Sequence, residues 1–345
     1  MYGLVKYGND ADQVKLMEVP IPTSPSAGFV KIKIMAAGIC GTDIHLYHGM
    51  VEPIKAVPPV VLGHEFSGEI VEVGEGVNRV KVGQRVTSET QSYICNKCIY
   101  CKDGFYNLCA DRKNIGVKLD GAFTNYIVVP EKNVHVLPDN ISYEEGALIE
   151  PLACVVHGII ENTGISAGDF VVISGPGPIG LLALQVAKAE GAFVIVLGTT
   201  SSAQRLVLAK KLGADVVLDI YKDDYKEKIS KVTHGYGADV VLECAGKGQS
   251  ANQCLEVVAK RGKYCQLGLF WSAVSINFDL IAFKELKVTG EIAHKPSAWE
   301  RSIRLIRNNQ VDLKPLVTHS LPLIKWEEGF RLFQSREACK VMLIP

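Results

Sequence analysis

The sequence has no excess of charge of either sign. Its 37 Lys and Arg residues balance 37 Asp and Glu residues, so the formal net charge is zero. Without a global positive potential, binding to nucleic acid or to an anionic membrane is not expected. There is also no apolar run near the ~18–20 residues that a membrane-spanning helix needs, and the N-terminus does not resemble a secretory signal. These absences favour a cytoplasmic protein.

What is present is the composition of an ordinary globular protein. The chain has 345 residues, of which 48% are hydrophobic and 21% are charged. At about 150 residues per domain, this length predicts two domains, each large enough to bury its own core. The 32 glycines often punctuate short apolar runs, which is typical of an α/β protein with many strand-to-helix turns.

The second half of the chain has the sequence pattern of a doubly wound parallel sheet. From Phe170 onward, short β-branched runs alternate with glycine turns and helical stretches, which predicts a Rossmann domain. The predicted strands are 170–174, 193–197, 215–219, 239–243, 263–267 and 286–290. The predicted helices between them are 181–190, 203–212, 225–232 and 250–260.

Before residue 150 the pattern changes to short alternating runs. Segments such as 29–36 and 69–73 are separated by Pro, Gly and Asn turns, which indicates an antiparallel β-barrel. After the sixth strand a helix is predicted from Ser297 to Asn308, and the tail alternates again. We therefore expect a first domain at 1–150, a Rossmann domain at 151–293 and a return of 294–345 to the first domain.

Four of the ten cysteines lie in one short polar stretch. Cys95, Cys98, Cys101 and Cys109 have the spacing C-x2-C-x2-C-x7-C. Four such thiolates can enclose a tetrahedral zinc ion with no open coordination position. Such an ion cross-links and stabilises a loop that lacks its own hydrophobic core. An iron–sulfur cluster is the alternative, although the last gap is longer than in a ferredoxin and Ala110 stands where proline is usual. Four unrelated cysteines are the remaining alternative.

A second set of metal-ligand types is dispersed along the chain. Cys40, His64 with Glu65, and Glu150 supply a sulfur, an imidazole and carboxylates. One of each would leave a fourth zinc position open for water or substrate, as a catalytic ion requires. Taken singly, however, such a cysteine and histidine are usually buried packing residues, and such a glutamate is usually a helix cap or a surface acid.

A glycine motif follows the first strand of the predicted Rossmann sheet. Its G-x-G-x-x-G pattern is formed by Gly175, Gly177, Pro178, Ile179 and Gly180 together with Pro176. After a strand and before a helix, these glycines permit a tight turn and close approach of the backbone to a pyrophosphate at the helix N-terminus. The motif therefore predicts a dinucleotide cofactor.

The turn after the second strand bears on which nicotinamide coenzyme is used. An acidic residue there would bind the ribose 2′-hydroxyl of NAD. Instead, the segment from Gly198 through Thr199, Thr200 and Ser201 to Arg205 contains no carboxylate. Hydroxyl groups with a nearby arginine favour the 2′-phosphate of NADP. An NAD enzyme with a relaxed ribose pocket is the alternative.

Together these residues resemble the zinc-dependent medium-chain dehydrogenase/reductase family along essentially the whole chain. The segment 63–68, followed by Gly74 and Val77, is similar to that family's zinc signature. The resemblance implies that Cys40, His64 and Glu150 ligate a catalytic zinc, with Glu65 as a neighbouring carboxylate that can exchange into the shell. It also implies that the four-cysteine stretch holds a structural zinc, and that a GroES-like catalytic domain surrounds a central Rossmann domain.

The resemblance also implies the reaction. Zinc would favour deprotonation of an alcohol, which promotes hydride transfer to the nicotinamide. Thr42 and His45 occupy the positions at which similar enzymes relay the proton to solvent. Outside that role, Thr42 would be a turn-capping hydroxyl and His45 an exposed helix residue.

Two short segments bear on the substrate branch. The segment 150–153 resembles that of polyol (sorbitol or L-iditol type) dehydrogenases, whereas 40–43 also resembles that of threonine dehydrogenases. We expect a reversible polyol dehydrogenase, with L-threonine or a sugar-alcohol phosphate as the alternative substrate. Other readings are an iron–sulfur electron carrier and a noncatalytic nucleotide-binding protein. Relatives are commonly tetramers or dimers, so a homo-oligomer is expected by analogy.

Overall fold

A computed structural model describes residues 1–49 and 55–345. The chain divides into two compact units. One comprises Met1–Glu150, Lys295–Trp299 and Leu316–Pro345, and the other comprises Pro151–His294 and Glu300–Pro315. Among the described residues, no helix is long and apolar enough to cross a membrane.

The segment 294–345 is divided between the units and does not belong wholly to the first one. Its middle part is tied to the parallel-sheet unit through the buried side chain of Gln185. The Gln185 amide donates to the carbonyl oxygen of Asp312 at 3.0 Å and accepts from its backbone N–H at 2.7 Å. This reciprocal pair satisfies both backbone polar groups of Asp312 and links its segment to α5.

The second unit contains a six-stranded sheet in which every pairing is parallel. Its order is β13-β12-β11-β14-β15-β16. The strands are β11 (Phe170–Ser174), β12 (Phe193–Gly198), β13 (Val216–Asp219), β14 (Ala238–Glu243), β15 (Val258–Gln266) and β16 (Lys287–Gly290). The order reverses between β11 and β14, which makes the carboxyl ends of these two strands the switch point where ligands bind in open α/β sheets. The Rossmann prediction is confirmed.

Helices of this unit carry apolar residues at helical spacing towards its core. They are α5 (Pro178–Ala189), α6 (Ala203–Lys211), α7 (Tyr225–Val232), α8 (Gly248–Val257) and α9 (Asp279–Phe283). In α5 the run from Gly180 to Ala187 is buried throughout, as expected for a helix enclosed on several sides. A π-helical turn, His157–Thr163, follows α4 (Ile149–Val156).

The C-terminal boundary of α8 differs from the sequence prediction. The helix expected at 250–260 ends at Val257, because Val258 adopts an extended conformation and pairs with Ala238 on β14. The pairing then shifts register before Lys263, and Arg261 takes a positive φ of 60° within the irregular stretch. Tertiary pairing with β14 thus overrides the helical propensity of these residues.

The first unit is built mainly from antiparallel strands, as the alternating pattern predicted. A seven-stranded sheet has the order β10-β6-β5-β3-β18-β17 with β9 also paired to β3, and smaller sheets have the orders β2-β1-β4 and β7-β8. The strands are β1 (Tyr2–Lys6), β2 (Val14–Glu18), β3 (Phe29–Gly38), β4 (Val60–Val61), β5 (Glu65–Val73), β6 (Arg85–Ser88), β7 (Gln91–Tyr93), β8 (Lys113–Asn114), β9 (Tyr126–Pro130), β10 (Val134–Val136), β17 (Val317–Pro322) and β18 (Lys340–Ile344).

Strand β3 organises the core of this unit. Its alternate residues Val30, Ile32 and Ile34 are almost fully buried, because successive side chains of a strand point to opposite faces. The remaining helices are α1 (Gly41–Tyr47), α2 (Ile99–Lys102), α3 (Tyr143–Ala147), α10 (Pro296–Arg307) and α11 (Trp326–Gln334). Helix α1 directly follows β3, so the Cys40 segment is anchored to the sheet.

Candidate active site and dinucleotide site

Asp43 joins the two segments that carry the candidate thiol and imidazole ligands. It lies in the first turn of α1 and is fully buried. Its Oδ2 accepts from the Cys40 backbone N–H at 2.9 Å, and its Oδ1 accepts from the Gly63 N–H at 3.3 Å. Oδ1 also lies 3.7 Å from Nδ1 of His64. One carboxylate therefore fixes the relative positions of both segments, a role that sequence reasoning did not assign to it.

Three candidate metal ligands converge beside this carboxylate. One donor atom each from Cys40, His64 and Glu65 lies within 4.8 Å of the others. His64 is buried, and its Nδ1 has no hydrogen-bond partner among the described residues. A buried imidazole nitrogen without a partner is costly unless a further ligand satisfies it. Sulfur, nitrogen and oxygen donors at this separation fit a zinc ion.

The charges around His64 also favour a cation. Burial lowers the pKa of His64, but Cys40, Asp43 and Glu150 together raise it well above its ordinary value. These surroundings favour the protonated, cationic form of the His64 imidazole. Because an imidazole binds metal only through a free nitrogen, zinc binding here would release that proton.

Glu65 has a buried basic partner that the sequence pattern does not reveal. Its Oε1 accepts from Nζ of Lys340 at 2.6 Å, and both side chains are at most 3% exposed. Burial lowers the pKa of Lys340, but the carboxylate of Glu65 raises it above its ordinary value overall. The lysine therefore stays protonated at neutral pH and holds Glu65 by charge as well as by hydrogen bonding.

The other predicted residues of this site lie on helices α1 and α4. Glu150 opens α4, is 6% exposed and falls outside the cluster formed by Cys40, His64 and Glu65. Burial raises the pKa of Glu65, and the negative charge of Glu150 adds to that rise, so the two carboxyls interact. Thr42 and His45 are half-buried on α1. Their three-residue separation puts them on the same helix face.

The four predicted structural ligands also come together. The Sγ atoms of Cys95, Cys98, Cys101 and Cys109 all lie within 4.8 Å of one another, and those of Cys95 and Cys101 are 3.9 Å apart. Tetrahedral zinc with Zn–S bonds of about 2.3 Å requires S–S separations of roughly 3.8 Å. The Cys98 N–H points at Cys95 Sγ at 3.4 Å, and N–H groups of Lys97 and Cys98 lower the pKa of Cys95 to about 6. These N–H groups favour a thiolate at Cys95, whereas burial raises the pKa of Cys101 to about 12. The mutual approach of the four sulfur atoms fits a zinc ion.

The segment around these cysteines has little apolar support of its own. Ile99, Tyr100, Phe105 and Leu108 are 68%, 44%, 40% and 43% exposed, respectively. A segment that buries so little cannot offset the entropy of ordering through its own core. A cross-linking ion would supply that stabilisation.

The glycine motif forms a cradle at the carboxyl end of β11. Gly175 has a φ of +106°, and a Cβ there would lie 2.9 Å from the Ala245 nitrogen. A Cβ on Gly180 would collide with the carbonyl oxygen of Gly175, whereas one on Gly177 would meet no atom within 4 Å. The first and third glycines thus permit close backbone packing, while the second leaves open space. Pro178 is the first residue of α5, so a helix N-terminus faces that space.

The turn after β12 is held by its own hydroxyl groups. The Thr199 N–H donates to Ser202 Oγ at 2.9 Å, and the hydroxyls of Thr199 and Ser201 are also 2.9 Å apart. Thr200 Oγ1 donates to Asp219 Oδ2 at 2.6 Å. Asp219 comes from the end of β13, so a carboxylate reaches the turn from the neighbouring strand. The residues of the turn give no signal for this carboxylate, because Asp219 lies on a different strand.

Two protein-family models match the chain, and each matches a different part of it. Residues 26–139 match the family described as alcohol dehydrogenase GroES-like domain. Residues 178–308 match the family described as zinc-binding dehydrogenase. The two matches together cover more than half of the chain.

Curated relatives are similar over nearly their full length. The chain is 46% identical to sorbitol dehydrogenase of Halalkalibacterium halodurans, covering 100% of this chain and 99% of that one. It is 42% identical to D-arabitol-phosphate dehydrogenase of Enterococcus avium, with 99% and 97% covered. It is 40% identical to L-threonine 3-dehydrogenase of Pyrococcus furiosus, with 96% and 94% covered.

A solved structure gives the same result in three dimensions. A chain from Sinorhizobium meliloti 1021, assigned as a zinc-binding dehydrogenase and bound to NADP, superposes with a TM-score of 0.89. It is 33% identical, and the match covers 100% of this chain and 99% of that one. The converging candidate ligands, the glycine cradle and these similarities lead to one conclusion: the chain is an enzyme that belongs to the zinc-dependent medium-chain dehydrogenase/reductase family.

Proposed function

We propose that this enzyme oxidises a secondary hydroxyl of a sugar alcohol or related diol to a ketone, reversibly, with a nicotinamide coenzyme as hydride acceptor. In the forward direction the substrate loses a hydride to the coenzyme and a proton to solvent. The observation that carries the proposal is the convergence of Cys40, His64 and Glu65 within 4.8 Å. It occurs in a chain 46% identical to a sorbitol dehydrogenase.

Cys40 and His64 would hold the catalytic zinc together with a carboxylate from Glu65 or Glu150. When bound, the ion supplies Lewis acidity that favours loss of the hydroxyl proton of an alcohol. The protein's contribution is to hold the donor groups in place before the ion arrives. Asp43 does this for Cys40 and for the segment that precedes His64.

Thr42 and His45 would move the released proton away from the substrate. A hydroxyl can accept a proton on one side while donating on the other, and an imidazole titrates near neutral pH. Both side chains are half-buried on α1, which starts at the candidate ligand Cys40. This placement supports a relay from the buried site towards solvent.

The four-cysteine segment would hold a second, structural zinc. Its support is the mutual approach of the four Sγ atoms within 4.8 Å, together with the family's zinc chemistry. An iron–sulfur cluster would give a coloured protein with visible absorption. Metal analysis and an absorption spectrum of the purified protein therefore distinguish the two.

The preferred coenzyme would be NADP. The turn at 198–205 offers hydroxyl groups and Arg205, and it contains no carboxylate of its own. An arginine with hydroxyl donors suits a phosphate group. The carboxylate of Asp219 acts in the opposite sense, because it would repel a 2′-phosphate. The net preference is measured by the ratio of kcat/KM values for NADP and NAD.

The unit formed by residues 1–150 with the C-terminal strands would be the catalytic domain, and the parallel-sheet unit the coenzyme domain. A homo-oligomer is also proposed. Strand β16 pairs only with β15 among the described residues, and Phe278, Phe283 and Val288 near it are 65%, 79% and 46% exposed. A strand edge beside apolar surface suits association with a second copy. The ten free cysteines support a reducing compartment such as the cytoplasm.

The proposal is tested by initial rates of coenzyme reduction by zinc-loaded protein. Sorbitol and other polyols, polyol phosphates, 2,3-butanediol and L-threonine are each supplied with NAD and with NADP. We expect the highest kcat/KM with a polyol. Activity with L-threonine alone would assign the enzyme to the amino-alcohol dehydrogenases. Activity with phosphorylated polyols alone would show that the substrate must carry a phosphate group. Activity with none of these would refute the proposed substrate class.

A further inference from the structure

Glu243 is a fully buried acid at the switch point of the parallel sheet. It is the last residue of β14, and its side chain is 0% exposed. Oε1 accepts from the backbone N–H of Ala245 at 3.0 Å. Oε2 accepts from the N–H of Gly246 at 3.1 Å and from Nε2 of Gln266 at 2.6 Å. Both carboxyl oxygens thus act as acceptors for the loops that follow two adjacent strands.

The backbone of the same residue holds the loop after β15. The Glu243 carbonyl oxygen accepts from the N–H of Leu267 at 2.9 Å and from that of Gly268 at 2.8 Å. A Cβ on Gly268 would lie 2.6 Å from Glu243 Oε2, so this loop passes directly over the carboxyl group. Gln266 also donates to the carbonyl oxygen of Gly268. Side chain and backbone therefore join the two loops into one assembly.

This assembly also rests against the glycine cradle. The Cys244 N–H donates to the carbonyl oxygen of Ser174, the last residue of β11, at 2.9 Å. The Ala245 nitrogen lies where a Cβ of Gly175 would approach to 2.9 Å. The position of the 244–246 loop thus depends on Glu243 from one side and meets the cradle on the other.

The loops held by Glu243 follow β14 and β15. This half of the sheet carries neither the glycine motif nor the turn at 198–205. A doubly wound sheet binds a dinucleotide across the switch point, one mononucleotide to each half. The half formed by β11 to β13 carries the glycine motif and the turn at 198–205, which would bind the adenosine ribose. The half formed by β14 to β16 is therefore left to receive the nicotinamide mononucleotide.

We propose that Glu243 is a positioning residue that holds the loops after β14 and β15 in the conformation that receives the nicotinamide half of the coenzyme. The inference rests on the proposed coenzyme use and names a residue that acts through these loops. Only a carboxylate presents two oxygens with no hydrogen of its own to a set of N–H donors. An amide in its place would turn an N–H group towards one of those donors and loosen the loops.

The test compares Glu243→Gln with the wild type by coenzyme binding, without substrate or turnover. Dissociation constants are measured for NADH and NADPH by fluorescence, and for ADP-ribose and its 2′-phosphate by calorimetry. These fragments lack the nicotinamide. We expect the substitution to weaken binding of the coenzymes about tenfold and binding of the fragments less than about twofold. The matched control, Glu256→Gln, removes an exposed ion pair with Lys226 in the same unit and should change neither.

Two results would overturn the inference: unchanged coenzyme affinity in Glu243→Gln, or an equal loss for coenzymes and fragments. The equal loss would indicate a general structural role. If Glu243→Gln does not fold, Gln266→Met removes one donor to the carboxyl group, and the same selective loss, smaller in size, is required of it. A wild-type protein that binds neither coenzymes nor fragments would instead refute the proposed function.

Discussion

Lys340 and Glu65 form a buried ion pair between residues that are 275 positions apart in the sequence, with Nζ and Oε1 separated by 2.6 Å. The pair forms because β18 and β5 both lie beside β3 in the sheet order. Gly38 on β3 leaves room for it, since a Cβ at that position would lie 3.2 Å from Cε of Lys340 and still closer to the Glu65 carboxyl. The only lysine partner described for Glu65 thus comes from the end of the chain.

Replacing Lys340 with Met should destabilise the protein strongly. The change leaves Glu65 buried and charged without its partner, which typically costs about 3–5 kcal/mol. The free energy of unfolding, measured in urea on metal-free protein, checks this, and Glu65→Gln in the same chain should recover much of the loss. Lys31→Met is the control, because the Lys31–Glu72 pair at 3.5 Å is partly exposed and should contribute only about 0–1 kcal/mol. Equal effects of Lys340→Met and Lys31→Met would contradict the assignment.

Replacing Cys98 with Ser should remove the structural ion and leave the catalytic site in place. Zinc content is expected to fall from two ions per chain to one, and the melting temperature should fall with it, because metal-binding energy stabilises the fold. Elemental analysis and calorimetry measure the two quantities. Cys339→Ser replaces a buried cysteine outside the cluster and should retain both ions. Unchanged zinc content in Cys98→Ser would rule out the four-thiolate site.

Replacing Cys40 with Ser should abolish most turnover without unfolding the protein. The hydroxyl is a poorer zinc ligand than a thiolate, so kcat/KM should fall by more than about 100-fold. Near-ultraviolet circular dichroism should be unchanged, and zinc content should fall from two ions per chain to one. Full activity in a metal-defined preparation of this variant would show that Cys40 is not a catalytic ligand.

Replacing Asp219 with Asn should shift coenzyme preference towards NADP. Asp219 brings a negative charge to the hydroxyl of Thr200, and this charge would repel a 2′-phosphate. Removing an interaction of about 1 kcal/mol corresponds to roughly a fivefold gain in affinity for NADPH relative to NADH. Coenzyme titrations at low and at moderate salt provide the measurement, since screening should reduce the difference. A shift towards NADH would mean that the carboxylate does not face the 2′ position.

The stability contribution of Asp215 should depend on pH in a defined direction. Partial burial raises its pKa, but Lys188 Nζ at 2.8 Å and the Val194 N–H at 2.7 Å lower it below the ordinary value of 3.8 overall. A depressed pKa stabilises the fold above the unfolded-state pKa, and this contribution is lost as pH falls through the folded-state pKa. The stability difference between wild type and Asp215→Asn, about 1 kcal/mol or less for a partly exposed pair, should be constant from about pH 7 to 5 and shrink below about pH 4. Urea denaturation across this range measures it, and a difference that grows on acidification would contradict the assignment.

Local sequence patterns were sufficient for the elements whose contacts are local. The Rossmann strands and the glycine motif were predicted because a strand, a glycine turn and a helix follow one another within a few residues. The four cysteines were grouped for the same reason, since 15 residues span all of them. The end of α8 was predicted wrongly because pairing of Val258 with Ala238 is a contact that helix propensity does not encode.

The sequence by itself determined the two architectures, the glycine cradle and the types of residue available to bind metal, because periodicity and short spacings specify them. Tertiary structure decided which of those residues meet. It brought Asp43 to the segment of Gly63 and His64, Lys340 to Glu65, and a carboxylate from β13 to a turn that has none of its own. Such contacts depend on strand order and register, and spacing along the chain carries no information about either once the partners lie on different strands.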